Sequence, residues 1–163
     1  DIALCAGYWS FDEGTGITAY DGSTNANHAT LANSTYSNGL VGFAMSVDGV
    51  NDFGRAPSIG ALNITGAVTI AGWTKFYRYA KPYGVLGMKG DWSGTASQDY
   101  GLFVRNNGRV QIGFYNAGIH HFIESTGAVL FVTGTWQHVV GTIDTVNDHA
   151  PNFKKSIAPP QIH

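Results

Sequence analysis

An all-β fold of antiparallel strands is what this chain predicts. Three features predict it: apolar residues that recur with period two, dense Gly/Asn/Asp/Ser punctuation between those segments, and a shortage of charge. Charged residues are 12% of the 163 positions, aromatics are 13%, and there are 22 glycines. A surface helix needs Glu, Lys, Gln and Arg on its wet face, whereas a half-buried sheet takes aromatic and β-branched residues and turns at glycine. The length suits one domain with a real core.

Residues 40–47 set Val41, Phe43, Met45 and Val47 against Gly42, Ala44 and Ser46, one greasy face and one small-residue face. Residues 68–74, 83–88, 128–133 and 136–143 read as further strands. Turn-forming clusters at 12–16, 21–25, 48–52 and 90–94 separate them. The expected core comprises Tyr8, Phe11, Phe43, Met45, Ile70, Trp73, Leu102, Val104, Val110, Ile112 and Val139.

One hairpin can be set in register from the sequence. Residues 100–105 and 109–115 flank Asn106-Asn107-Gly108. A two-residue turn would pair Val104 with Gln111 and Arg105 with Val110, apolar against polar. A three-residue loop with Gly108 in the left-handed conformation pairs Val104 with Val110, Leu102 with Ile112 and Tyr100 with Phe114. A slip of one residue would flip every side chain, so the apolar match selects the three-residue loop. The opposite face then carries Phe103, Arg105, Arg109, Gln111 and Tyr115. Arg105 beside Arg109 is tolerable at a wet hairpin end or where a carboxylate or other anion bridges them.

Net charge is -2, with no basic cluster, which argues against nucleic acid and anionic membrane as partners. No apolar run approaches the roughly 20 residues of a membrane-spanning helix, so membrane insertion is not expected. The single cysteine, Cys5, offers neither an intrachain disulfide nor a zinc framework.

Five motifs then occur in order. Residues 7–16 read Gly-Tyr-Trp-Ser-Phe-Asp-Glu-Gly-Thr-Gly. Asp21-Gly22-Ser23 is followed by Asn27-His28-Ala29-Thr30-Leu31. Ser46-Val47-Asp48-Gly49-Val50-Asn51-Asp52-Phe53 comes next, then Val68-Thr69-Ile70-Ala71-Gly72-Trp73, then Thr135-Trp136-Gln137-His138-Val139-Val140. Their order and spacing resemble the concanavalin-A-like, laminin-G-like domains, and the stretch from Val68 to Trp136 also resembles pentraxins. The resemblance implies a jelly-roll sandwich of two antiparallel sheets over residues 1–144. It also implies a secreted or cell-surface setting, adhesion or binding to a glycan or glycoprotein, and calcium as a structural cofactor. The family pattern continues with closing strands, but residues 145–163 carry three prolines and little alternation. They read as a tail, so the expectation is either that a second copy or another partner completes the sandwich or that the chain is a truncated or incorrectly registered version of a longer domain.

Candidate site residues follow. Calcium takes carboxylate, amide and carbonyl oxygens, which Asp21 with Asn25 and Asp48 with Asp52 offer on Gly-rich loops, although the same residues also simply make turns. Trp92 sits in a loop where an exposed ring would stack on a sugar. Asp99 is carried over from the pentraxin-like Gln98-Asp99. Phe103, Arg105, Gln111 and Tyr115 form a polar-aromatic sheet face. Glycan hydrolysis in this fold needs two carboxylates roughly 5–10 Å apart, and no strand carries an acid pair at i, i+2 or i+4. Asp12 and Glu13 are adjacent in a turn, and Glu124 stands alone. The expectation is therefore a non-catalytic glycan-binding or adhesion module. A self-assembling structural subunit comes second and a glycan-cleaving enzyme third.

Overall fold

In the computed structural model, residues 2–57, 60–77, 82–90, 99–116, 119–125 and 132–143 are described, the side chains of Asp99 and Asn116 excepted. Eleven strands lie among the described residues: β1 (Thr18–Ala19), β2 (Ala29–Ala32), β3 (Thr35–Asn38), β4 (Phe43–Ser46), β5 (Phe53–Arg55), β6 (Val68–Thr74), β7 (Tyr83–Lys89), β8 (Asp99–Arg105), β9 (Val110–Asn116), β10 (Ile119–Glu124) and β11 (Gln137–Ile143). The helical content is two single 3-10 turns, Ile2–Leu4 and Gly60–Leu62. All the described strand pairings are antiparallel. The all-β expectation holds. Most of the strand expected over 128–133, and the tail 145–163, lie outside the described residues.

Two compact units divide the chain, Asp1–Asn63 and Ile64–His163. In the first, β1, β2 and β5 form one sheet and β3 pairs with β4. Its strands have two to four residues, and its buried apolar centre is small: Ala19, Ala29 and Leu31, with Trp9, Phe11, Tyr36 and Met45 packed around them.

The second unit has two layers. One sheet has the order β10-β9-β8-β7, the other pairs β11 with β6. Alternation turns Tyr100, Leu102 and Val104 of β8 and Val110, Ile112 and Phe114 of β9 into one buried cluster with Val68, Val139 and Ile143 of the second sheet. Gly141 of β11 makes that approach possible. A Cβ there would fall 2.6 Å from Ile112 Cδ1 and 2.8 Å from Leu102 Cδ1.

The β8–β9 hairpin has the register that the apolar match selects. Val104 pairs with Val110, Leu102 with Ile112 and Tyr100 with Phe114. Gly108 has φ +77°, its N–H donates to Arg105 O at 2.9 Å, and Arg105 N–H donates to Arg109 O at 2.8 Å. Asn107 Oδ1 accepts from Arg109 N–H at 3.0 Å, so the loop's own amide closes the turn.

Three expected core residues are not buried. Trp73 is 40% exposed, Tyr8 41% and Phe43 44%. Ile70 and Trp73 are three apart on β6, so period two puts them on opposite faces, and the inward face belongs to Val68 and Ile70. In the first unit Tyr8 lies against Gly22 and Phe43 against Gly14. Those rings cover turns, because short strands leave little interior to fill. Phe11, Met45 and Ile70 are half-buried, while Leu102, Val104, Val110, Ile112 and Val139 are buried as expected.

Candidate functional site

The outer face of the four-stranded sheet gathers the polar-aromatic set. Phe103 opposes Gln111 and Asp99 opposes Tyr115 across β8–β9, so Phe103, Arg105, Gln111 and Tyr115 share the side away from the core. Its centre is not open: Gln111, Tyr115 and Phe103 are only 5%, 6% and 7% exposed. Part of this comes from glycine. Phe103's ring lies over Gly101, where a Cβ would come 2.5 Å from Cζ. His120 adds its ring against Tyr115, with centroids 4.6 Å apart.

The accessible part lies at the hairpin's turn end. Tyr83 of β7, half exposed, opposes Arg105, whose guanidinium carbon lies 4.9 Å from the tyrosine ring centre. Arg105 Nη1 donates to Gln111 Oε1 at 3.3 Å and forms an ion pair with Glu124 Oε1 at 3.2 Å. Arg109 Nη1 donates to Glu124 Oε2 at 3.2 Å. Glu124 itself opposes Gln111 across β10–β9. Two cations thus share one carboxylate. The Arg105–Glu124 contact is close enough for Coulomb attraction but lacks hydrogen-bond alignment: Arg105 Nε and Glu124 Oε1 are buried without a hydrogen bond among the described residues.

In the acidic loops the carboxylates accept hydrogen bonds from the neighbouring backbone. Asp21 is buried, and its carboxylate accepts four hydrogen bonds. Oδ1 takes the N–H groups of Tyr8 and Ser23, and Oδ2 takes the Ser23 hydroxyl and the Asn27 N–H, all at 2.8 Å. Asp21's own N–H donates to His28 Nδ1 at 3.0 Å, and Trp9 Nε1 donates to Asn27 O at 3.0 Å. Burial raises the Asp21 pKa, and the hydrogen bonds from Tyr8, Ser23 and Asn27 outweigh it, leaving the carboxyl below its ordinary value. Asn25 turns its amide away, donating from Nδ2 to the carbonyls of Cys5 and Ala6. Asp52 Oδ2 accepts from Asp48 N–H at 2.8 Å, and Asp48 Oδ1 accepts from Val50 N–H at 2.7 Å. Both loops use their carboxylates to hold backbone. Among the described residues no three His, Cys, Asp or Glu side chains cluster as metal ligands would.

Trp92 and the Asp99 side chain lie outside the described residues. Tyr83 and Glu124 complete the rim, and neither belongs to the polar-aromatic face that the sequence predicts. Glu124's role depends on the β9–β10 register, which no apolar pattern in residues 119–124 selects.

Compared with known proteins, the chain matches no family model, no curated protein and no solved structure.

Proposed function

We propose that the chain is a non-catalytic glycan-binding or adhesion module of a secreted or cell-surface protein, built on the concanavalin-A-like jelly-roll plan that its motifs resemble. The observation that carries this reading is the rim around Tyr83. A half-exposed ring lies against Arg105, and Arg105, Arg109, Gln111 and Glu124 are joined in one polar network beside it. An aromatic face takes the apolar side of a sugar ring, and guanidinium and amide groups held in place offer donors to its hydroxyls.

Among the described residues the carboxylates hold structure, which supports the non-catalytic part. Asp12 holds Phe43 N–H, Glu13 holds Tyr20 N–H, Asp21, Asp48 and Asp52 hold their loops, and Glu124 holds two arginines. A glycosidase needs one acid free to give a proton and a second to act as base or nucleophile.

A glycan array probed with the whole chain, in calcium and in chelator, tests the reading. Binding to a defined glycan set is expected, reduced at least tenfold by Tyr83→Ala or Arg105→Met. An array with no bound glycan in either condition, together with a mass that rises with concentration, would replace this reading with a self-assembling structural subunit.

A further inference from the structure

The outer face of the β6–β11 sheet carries a second row of aromatic residues. Its inner side is occupied by Val68, Val139 and Ile143, which belong to the core, and by buried Gln137. The register pairs Trp73 with His138, Ala71 with Val140 and Thr69 with Thr142, and these face outward. The rings of Trp73 and His138 are 5.2 Å apart, and the Thr69 and Thr142 hydroxyls meet at 3.0 Å. One step further, Lys75 Nζ lies 5.2 Å from the Trp136 ring centre and 5.3 Å from that of Tyr77. Gly134 N–H donates to Phe76 O at 2.6 Å, keeping the two segments together past the last strand pair.

The row is accessible: Trp73 is 40% exposed and Tyr77 74%. Trp73 lies on β6 and Tyr77 three residues beyond its end, with Lys75 between them. Exposed flat rings on a face that also carries the Thr69 and Thr142 hydroxyls suit sugar faces. Among the described residues the row's fixed charge is the Lys75 ammonium, held against two π faces, so the complementary ligand carries negative charge.

We propose that this face is a platform for a linear acidic polysaccharide, with Trp73 and Tyr77 stacking under successive sugar rings and Lys75 pairing with a uronate carboxylate. The proposal rests on the glycan-binding reading and gives it a second face and a ligand class. Affinity electrophoresis of the whole chain in gels containing polygalacturonate, or its methyl ester, tests it.

Polygalacturonate is expected to retard the chain. Trp73→Ala should weaken retardation at least tenfold in both gels, and Trp73→Phe should keep most of it. Lys75→Met should weaken it about tenfold on polygalacturonate and leave the methyl ester unchanged. Melting curves verify that each variant is folded. Retardation that Trp73→Ala and Lys75→Met leave intact but Tyr83→Ala abolishes would overturn the platform and keep the Tyr83 rim. No binding to any glycan, on the gels or on the array, would overturn both. A dimer that Trp73→Ala dissociates would overturn the platform in favour of self-association.

Discussion

Arg105 and Arg109 face each other at the turn end of the β8–β9 hairpin, and each guanidinium reaches one oxygen of the same Glu124 carboxylate, at 3.2 Å in both cases. Like charges placed opposite one another on a sheet are destabilising. The register that sets them there is fixed on the other face by Val104 and Val110, each 1% exposed. The apolar side therefore decides the pairing, and the carboxylate makes its consequence tolerable.

Replacing that carboxylate should expose the repulsion. Glu124→Gln is expected to cost about 1 kcal/mol at low ionic strength, since all three side chains are partly solvated. Salt should shrink the loss, because screening weakens both the attraction removed and the repulsion left behind. Arg109→Gln in the same chain should recover part of the stability. Urea unfolding at low and at molar salt checks this; a loss independent of salt would mean that packing, not charge, is what Glu124 supplies.

The turn itself gives a second test. Gly108 sits at φ +77°, so Gly108→Ala is expected to cost about 1–2 kcal/mol, and Gly108→Asn less, because asparagine tolerates the left-handed region. The urea midpoint should fall with an unchanged slope. An alanine variant as stable as the parent would show that the loop has another conformation available.

The hairpin was legible because only one register matches apolar with apolar on both strands. The same alternation turns Trp73 outward: Ile70 and Trp73 cannot both face inward on one strand. Asp21-Gly22-Ser23 spells a turn or a cation loop equally well. The structure adds donors from Tyr8, 13 residues away, and Asn27, six away, and such closures leave no periodic trace. Glu124 was invisible for a related reason. Its partners belong to the neighbouring hairpin, and the β9–β10 register brings it to them.

Calcium offers a third test. A cation at Asp21 would have to displace four hydrogen-bond donors, so calcium and chelator are expected to leave the melting temperature unchanged. An ion at a hundredfold excess over its Kd would add about 2.7 kcal/mol, which a thermal melt would register. A rise with calcium that chelator reverses would show that the Asp21 or Asp48 loop rearranges to admit the ion.

Acid should act on the first unit through Asp21. Its carboxyl is buried, which alone would raise the pKa, but the donors from Tyr8, Ser23 and Asn27 carry it below the ordinary value of 3.8. The folded state therefore binds this proton less tightly than the unfolded chain. The resulting stabilisation is fully present above the unfolded value, about 3.9, and is lost as pH falls through the lower folded value. Asp21→Asn should remove that acid-dependent part. At neutral pH it should also cost about 2–3 kcal/mol, because hydrogen bonds to a charged acceptor are lost and an amide NH2 is brought towards N–H donors. The Trp9 indole N–H, bonded to Asn27 O at 3.0 Å, reports on the same loop and can be followed by NMR as pH is lowered from 6 to about 2, a range that brackets the carboxylate titration. In the parent its signal should weaken only below about pH 4. If the Asp21→Asn chain lost the signal with the same pH profile, Asp21 would not be the group through which acid acts on this loop.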